Sequence, residues 1–195
     1  MERTIIVITG LPGSGKSEAS GYIKSLGIPM FRTGDIVREE VLRRGLELNA
    51  QNSEMIARKL REEEGMDVLA RRLGGKIKKL RGGLVCVEGP RDMHEVRYLA
   101  TLGRVMIIIT EAPEKTRFGR LSARKGSGRL EPRSRDPKTF EEFRWRDERE
   151  LERGLREVMA TDSYPRVVVS NAGAREELTG NIRKIVENLK KGSGA

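Results

Sequence analysis

The chain has 195 residues, 35% of them charged and only 4% aromatic, and 39 Lys and Arg against 29 Asp and Glu give a formal net charge of +10. One cysteine, Cys86, excludes an intramolecular disulfide framework and a cysteine-based zinc cluster, and one histidine, His94, excludes a His-rich metal site. The longest apolar run, residues 105–109, is too short to span a bilayer, and Glu2 and Arg3 leave no room for a leader, so a soluble, cytoplasmic protein with no membrane partner is expected. A single Gln and 27 Arg against 12 Lys suit a thermophile's surface.

In chain order, the first apolar run, Thr4 to Thr9, is rich in Ile and Val and does not alternate, as in a strand covered on both faces. It leads into Gly10, Leu11, Pro12, Gly13, Ser14, Gly15, Lys16 and Ser17, which fit G-x-x-x-x-G-K-[ST]. Glycines let such a loop turn its N–H groups inward onto phosphate oxygens, and the helix predicted from residue 18 adds its unpaired donors. Lys16 would meet the β- and γ-phosphates, and the Ser17 hydroxyl would ligate Mg²⁺. The pattern calls for a nucleoside triphosphate, ATP by preference, as cofactor.

A second strand, residues 28–31, precedes Thr33-Gly34-Asp35-Ile-Val-Arg38, read as a small turn opening a helix, with Arg38 one turn in and able to fork onto a phosphate. Residues 35–82 read as two or three polar helices inserted before the next strand, the expected acceptor-binding region, with a solvated face as their plainer reading. Within them the acid-free run from Arg71 to Arg81 carries six cations. The third strand, residues 84–87, is followed by Glu88-Gly-Pro-Arg91. Ligands of open α/β sheets sit beyond the strand carboxyl ends, which places Glu88 beside the phosphate loop as a second metal ligand. A fourth strand covers 105–109. Residues 117–135 hold seven cations and one acid and predict a mobile basic loop, a lid over 117–136. The helix from Phe140 has Arg144 and Asp147 inside an apolar stripe of Phe140, Phe143, Leu151, Leu155, Val158 and Met159, charges expected to face a polar cleft or, in the plainer reading, to belong to a lid stem projecting beyond the core. A fifth strand, 167–169, precedes Asn171-Ala-Gly173, and Leu178, Ile182, Ile185, Val186 and Leu189 mark a last helix. Residues 190–195 read as a frayed tail, of which 191–195 are assigned outside the domain. Alternating strands and helices predict an α/β, three-layer P-loop NTPase fold with a five-stranded parallel sheet, in one domain over residues 1–190.

The set GLPGSGKS, TGDIVRE and EGPR resembles the nucleoside monophosphate kinases, of which adenylate kinase is the best known. It is most similar to an archaeal family of small P-loop kinases described as like adenylate kinase and dephospho-CoA kinase. That resemblance runs from about residue 4 to residue 190 and includes REEEG at 61–65, DPKTFEEF at 136–143 and RDERE at 146–150. It implies that Thr33, Gly34, Asp35, Arg38 and Arg91 bind a small phosphorylated acceptor, a nucleoside monophosphate or dephospho-CoA. It also implies that Arg120 lies near the adenine, Arg124 near the phosphates, and Asn171 and Gly173 along the donor base. The chain departs from the family where Glu88 replaces the usual aspartate and one residue before the proline is missing; no cysteine set marks the short lid, so a zinc-bearing lid is excluded.

Phosphoryl transfer needs alignment and charge neutralisation more than covalent help. Lys16, Arg124, Arg133 or Arg135, and Arg144 or Arg146 are the expected catalytic cations. Two other readings stay open: an ATPase acting on RNA or a ribonucleoprotein, motivated by the charge and by residues 71–81 but disfavoured by scarce aromatics, and a silent ATP-binding regulator, motivated by Glu88. Either a monomer or a homodimer is compatible with the sequence. Cys86 reads as a small core residue, His94 as a surface residue and Trp145 as packing for the lid stem.

Overall fold

The computed structural model describes residues 3–123 and 137–192. Five parallel strands, β1 (Thr4–Thr9), β2 (Met30–Arg32), β3 (Leu84–Glu88), β4 (Arg104–Glu111) and β5 (Arg166–Ser170), form one sheet in the order β2-β3-β1-β4-β5. Central strand β1 is buried along its whole length, and successive residues feed different cores. Ile5, Val7, Val85, Val87, Ile107 and Ile109 face one layer of helices, while Ile6, Ile8, Cys86 and Ile108 face the other. Burial on both faces is why these strands read as unbroken apolar runs.

The second layer is α1 (Lys16–Ser25) with α9 (Arg175–Gly192), packed through Ala19, Ile23, Leu178, Ile182 and Val186. The first layer holds α2 (Thr33–Arg43), α3 (Ala50–Glu64), α4 (Val68–Ile77) and α5 (Met93–Ala100). The helices inserted between β2 and β3 number three, and they are not merely a solvated face. Ile36, Val37, Val41, Ile56, Leu60, Leu69, Leu73 and Ile77 are all buried in the same core as the sheet, behind a charged exterior.

Four departures from the sequence expectations have local causes. Strand β2 starts at Met30 rather than 28, because Pro29 has no N–H to give; its carbonyl instead accepts from Cys86 N at 2.8 Å, and Ile28 stays buried outside the strand. The expected loop from 117 begins as helix: α6 (Glu114–Ser122) buries Arg117 and Leu121, and of the expected lid, residues 124–136 lie outside the described residues. The helix from Phe140, α7 (Phe140–Glu150), opens on a capping box of Thr139 and Glu142, then kinks at Gly154, whose φ of 105° is not helical, before α8 (Arg156–Ala160). Lys190 and Lys191, expected to be frayed, belong to the last turn of α9.

If α3 is part of the core, Leu60→Ala costs about 2–5 kcal/mol, whereas Leu42→Ala, at a side chain 58% exposed, stays within about 0.5 kcal/mol. Urea unfolding of the two variants measures both; equal midpoints would mean that α3 packs loosely.

Candidate nucleotide-binding site

Residues 10–17 connect β1 to α1 at the carboxyl edge of the sheet, and the ends of the neighbouring elements determine their shape. Ser14 Oγ and Thr110 Oγ1, at the end of β4, share a buried hydrogen bond of 2.8 Å. Asn171, just past β5, donates from Nδ2 to the Ser14 carbonyl at 2.9 Å. Gly15 makes that approach available: its φ is 103°, and a Cβ there would lie 2.0 Å from Asn171 Nδ2. Arg117 of α6 donates to the Pro12 carbonyl at 3.2 Å and to Ala112 O at 3.1 Å, pairs with Asp147 of α7 at 2.6 Å, and lies over the Phe143 ring. The loop is therefore braced from β4, β5 and α6 at once. Helix α1 starts at the loop with no side-chain cap, the kind of helix end that receives an anion. Lys16 lies across the loop, donating to Gly10 O at 2.7 Å and Leu11 O at 3.0 Å.

Glu88 is the last residue of β3 and pairs in register with Ile8 of β1, directly under the loop. Its carboxylate accepts from Ser17 Oγ at 2.7 Å, from Ser20 Oγ at 2.5 Å and from Arg32 Nε at 2.8 Å. Burial alone would raise this carboxyl, but the hydrogen bonds from Ser20, Ser17 and Arg32 outweigh it and hold Glu88 below the usual carboxylate range. A hydroxyl and an ionised carboxylate side by side at a phosphate loop are oxygen donors of the kind a hard divalent cation takes. The open cleft beside them, about 430 Å³, is lined by Gly13, Lys16, Ser17, Arg120, Gly173 and Arg175 among others. Arg120 spans its wall, donating to Asn171 O at 2.8 Å and Gly13 O at 3.4 Å.

On the other side of Glu88, Thr33, Gly34 and Asp35 form the first turn of α2 itself rather than a turn ahead of it. Thr33 Oγ1 donates to Gly89 O at 2.9 Å and ties α2 to the β3–α5 loop. Arg38 is ion-paired with Asp35 one turn earlier. Arg91 donates its backbone N–H to buried Glu95 and its guanidinium to Glu150 of α7, both at 2.8 Å. The kink after α7 closes on the same loop: Gly154, with φ 105°, comes so close that a Cβ would stand 2.8 Å from the Arg91 carbonyl. One loop is thus gripped by α5, α7 and the turn that follows it.

Lys16, Ser17, Glu88, Arg120, Asn171 and Gly173 gather around one cleft, with Thr33 and Arg91 held by the next loop along. Arg146 is half-buried on α7, and Arg144 is exposed on that helix with its nearest acid, Glu114, at 4.0 Å. Arg124, Arg133 and Arg135 lie outside the described residues. Asp147, noted in sequence as a charge within an apolar stripe, faces buried Arg117 rather than a polar cleft. Trp145 does not pack the helix stem; it is 58% exposed, with Arg149 over its ring. His94 sits on the surface beside Asp92, and Cys86 is fully buried with its thiol pushed up by desolvation. Sequence reading missed Ser20, Arg32, Thr110, Arg117 and Glu150. Each is an ordinary polar residue whose role appears only when distant segments meet.

A family model described as an AAA domain matches residues 9–139. A UPF0200 protein of Hyperthermus butylicus is 41% identical over 187 residues, which cover 96% of this chain and 95% of that protein. Among solved structures, TT1252 from Thermus thermophilus has a TM-score of 0.61 at 23% identity, covering 97% of this chain and 99% of that one. An unliganded sugar kinase from Janibacter sp. has a TM-score of 0.52 at 18% identity, covering 96% of this chain and 95% of its own. Both structures share the fold.

The state of Glu88 gives a pH signature. A carboxyl lowered by folding adds stability above its unfolded value, about 4.3, and that stability is lost as pH falls through the lowered value. The stability difference between wild type and Glu88→Gln, from chemical denaturation, is expected to be full at neutral pH and to shrink under acid. A constant difference into strong acid would mean that Glu88 is not held ionised.

Proposed function

The chain belongs to the UPF0200 proteins and to the AAA domain family, and from that footing we propose that it is an ATP- and Mg²⁺-dependent phosphotransferase that moves the γ-phosphoryl group to a small phosphorylated acceptor. One observation carries the reading: Ser17 of the phosphate loop and Glu88 of β3 share a hydrogen bond, and the loop that follows Glu88 presents Arg91. A donor cradle and an acceptor loop are thus joined at one carboxylate. The resemblance to adenylate kinase and dephospho-CoA kinase supports the same roles, with a nucleoside monophosphate or dephospho-CoA as acceptor.

In this reading the donor phosphates lie along residues 10–17, where the N–H groups of α1 and the Lys16 ammonium neutralise them. Ser17 and Glu88 would hold a magnesium ion carried by the nucleotide, which would supply further charge neutralisation. Lys16 leaves the Gly10 and Leu11 carbonyls for phosphate oxygens, which offer it full negative charge in place of partial charge. Arg120, held by two carbonyls at the cleft wall, is the side chain assigned to the donor base. Arg38 and Arg91 hold the acceptor's phosphate, each already oriented by a carboxylate, Asp35 or Glu150. Transfer then depends on holding two anions in line within a dry cleft. Arg146 on α7 and Arg124 and Arg135 beyond α6 are the further cations assigned to the transferring group.

Purified protein with Mg-ATP and a panel of phosphorylated acceptors, followed by ADP release and product mass, tests the proposal. One acceptor should raise turnover well above background hydrolysis, and Lys16→Ala should lower it by about 100-fold or more. No stimulation by any acceptor would leave an ATP-binding protein without transfer. Glu150→Gln loosens Arg91 and should raise the acceptor KM about 3- to 10-fold with the ATP KM unchanged; an unaltered acceptor KM would remove Glu150 from the site.

A further inference from the structure

The basic run from Arg71 to Arg81 divides in two. Its first half is neutralised within the fold: Arg71 faces Asp67 at 3.6 Å, Arg72 pairs with Glu64 and with Glu40 at 3.2 Å, and Lys76 meets Glu39 at 2.7 Å. Its second half is not. Lys78, Lys79 and Arg81 are exposed, as is Arg104 at the start of β4, and none of the four has a carboxylate within 4.0 Å among the described residues. The carboxyl end of α4 offers about half a unit of negative charge to the first three, too little to balance them.

These residues are held on one platform at the amino edge of the sheet. Leu84, Thr4 and Arg104 stand side by side in register on β3, β1 and β4. Arg3 stitches the adjoining loops, donating to Leu80 O at 2.7 Å and to Leu102 O at 3.4 Å, while Thr4 N donates to Gly83 O and Arg104 N to Arg3 O. Arg3 itself meets only carbonyls, so its charge adds to the patch. Helices α1 and α9 return to the same edge and end on exposed Lys24, Lys190 and Lys191. Of the acids on neighbouring elements, Asp162 pairs with Arg166 and Glu157 with Arg97, while exposed Glu187, one turn before Lys190 and Lys191 on α9, offsets part of their charge.

We propose that this edge docks the phosphate backbone of double-helical nucleic acid without reading its sequence. Residues 78–83 and 102–104 include none of the large exposed apolar side chains of the described residues (Leu42, Met55, Met66, Phe140, Trp145 and Val168), so these segments offer neither a wedge for a lipid surface nor an exposed ring on which a base could stack. What it offers is fixed positive charge on a rigid rim, the feature that backbone recognition uses. The platform lies at the opposite end of the strands from the phosphate loop, about 20 Å away along β1, so it works independently of the nucleotide cleft.

Fluorescence anisotropy of the full chain with labelled RNA and DNA duplexes of about 20 base pairs, titrated over a range of salt, tests the proposal. Binding at about 50 mM salt should weaken steeply as salt rises. The triple variant Lys78→Glu, Lys79→Glu, Arg81→Glu should bind at least about 10-fold more weakly and flatten the log–log salt slope by about 3. Its thermal shift with Mg-ATP should match wild type, and Arg104→Ala with Lys79→Ala serves if the triple variant does not fold. The ratio of RNA to DNA affinity distinguishes the two duplex sources. No binding at low salt, full-strength binding by the folded triple variant, or tighter binding to phosphatidylserine vesicles than to either duplex would overturn the proposal.

Discussion

A glycine-rich loop can present its N–H groups to an anion only if something other than the loop holds its shape, and in this protein that constraint falls on three strand ends. Thr110 from β4 and Asn171 from β5 clasp Ser14 from two sides, and Glu88 from β3 holds Ser17 and Ser20 from below. A parallel sheet makes this arrangement available because it delivers all its carboxyl ends to one edge. The site is thus an outcome of topology as much as of motif. Removing any of these polar contacts would leave the loop's sequence intact and its geometry unsupported.

The cleft's charged groups share a second property: the described ones have partners within the protein. Lys16 rests on backbone carbonyls, Arg38 on Asp35, Arg91 on Glu150, and Glu88 on two serines and an arginine. Such pairs keep the cations oriented and limit the repulsion that a cluster of like charges would build up. An incoming phosphate competes with these contacts, and it prevails by bringing more negative charge than a carbonyl or one carboxylate can.

The elements most legible in sequence were those whose signal is local. The five apolar runs located five strands, the spacing from Leu178 to Leu189 located α9, and residues 10–17 located the phosphate loop without reference to the rest of the chain. Helices α2 to α4 were harder, because their buried stripes, such as Ile56 and Leu60, are diluted by charge on the outer faces and read as solvated. Contacts between distant segments left no trace in the sequence: Arg117 reaching Pro12, Glu150 reaching Arg91, Asn171 reaching Ser14. Asp147 shows how a correct observation can be given the wrong neighbour. A charge within an apolar stripe did mark a special position, but what met it was a buried arginine, brought there by the α6–α7 pairing that no periodicity encodes.

Cys86 does more than fill the core. Buried between β1 and β2, with its thiol deprotonation suppressed, it is shielded from electrophiles while the sheet is closed and becomes an ordinary reactive thiol once the sheet opens. The chain therefore carries a built-in reporter of its own unfolding, since the rate at which a thiol reagent consumes Cys86 follows the opening of its central strands. A cysteine introduced on the surface would in turn label against a silent background, with the native one left in place.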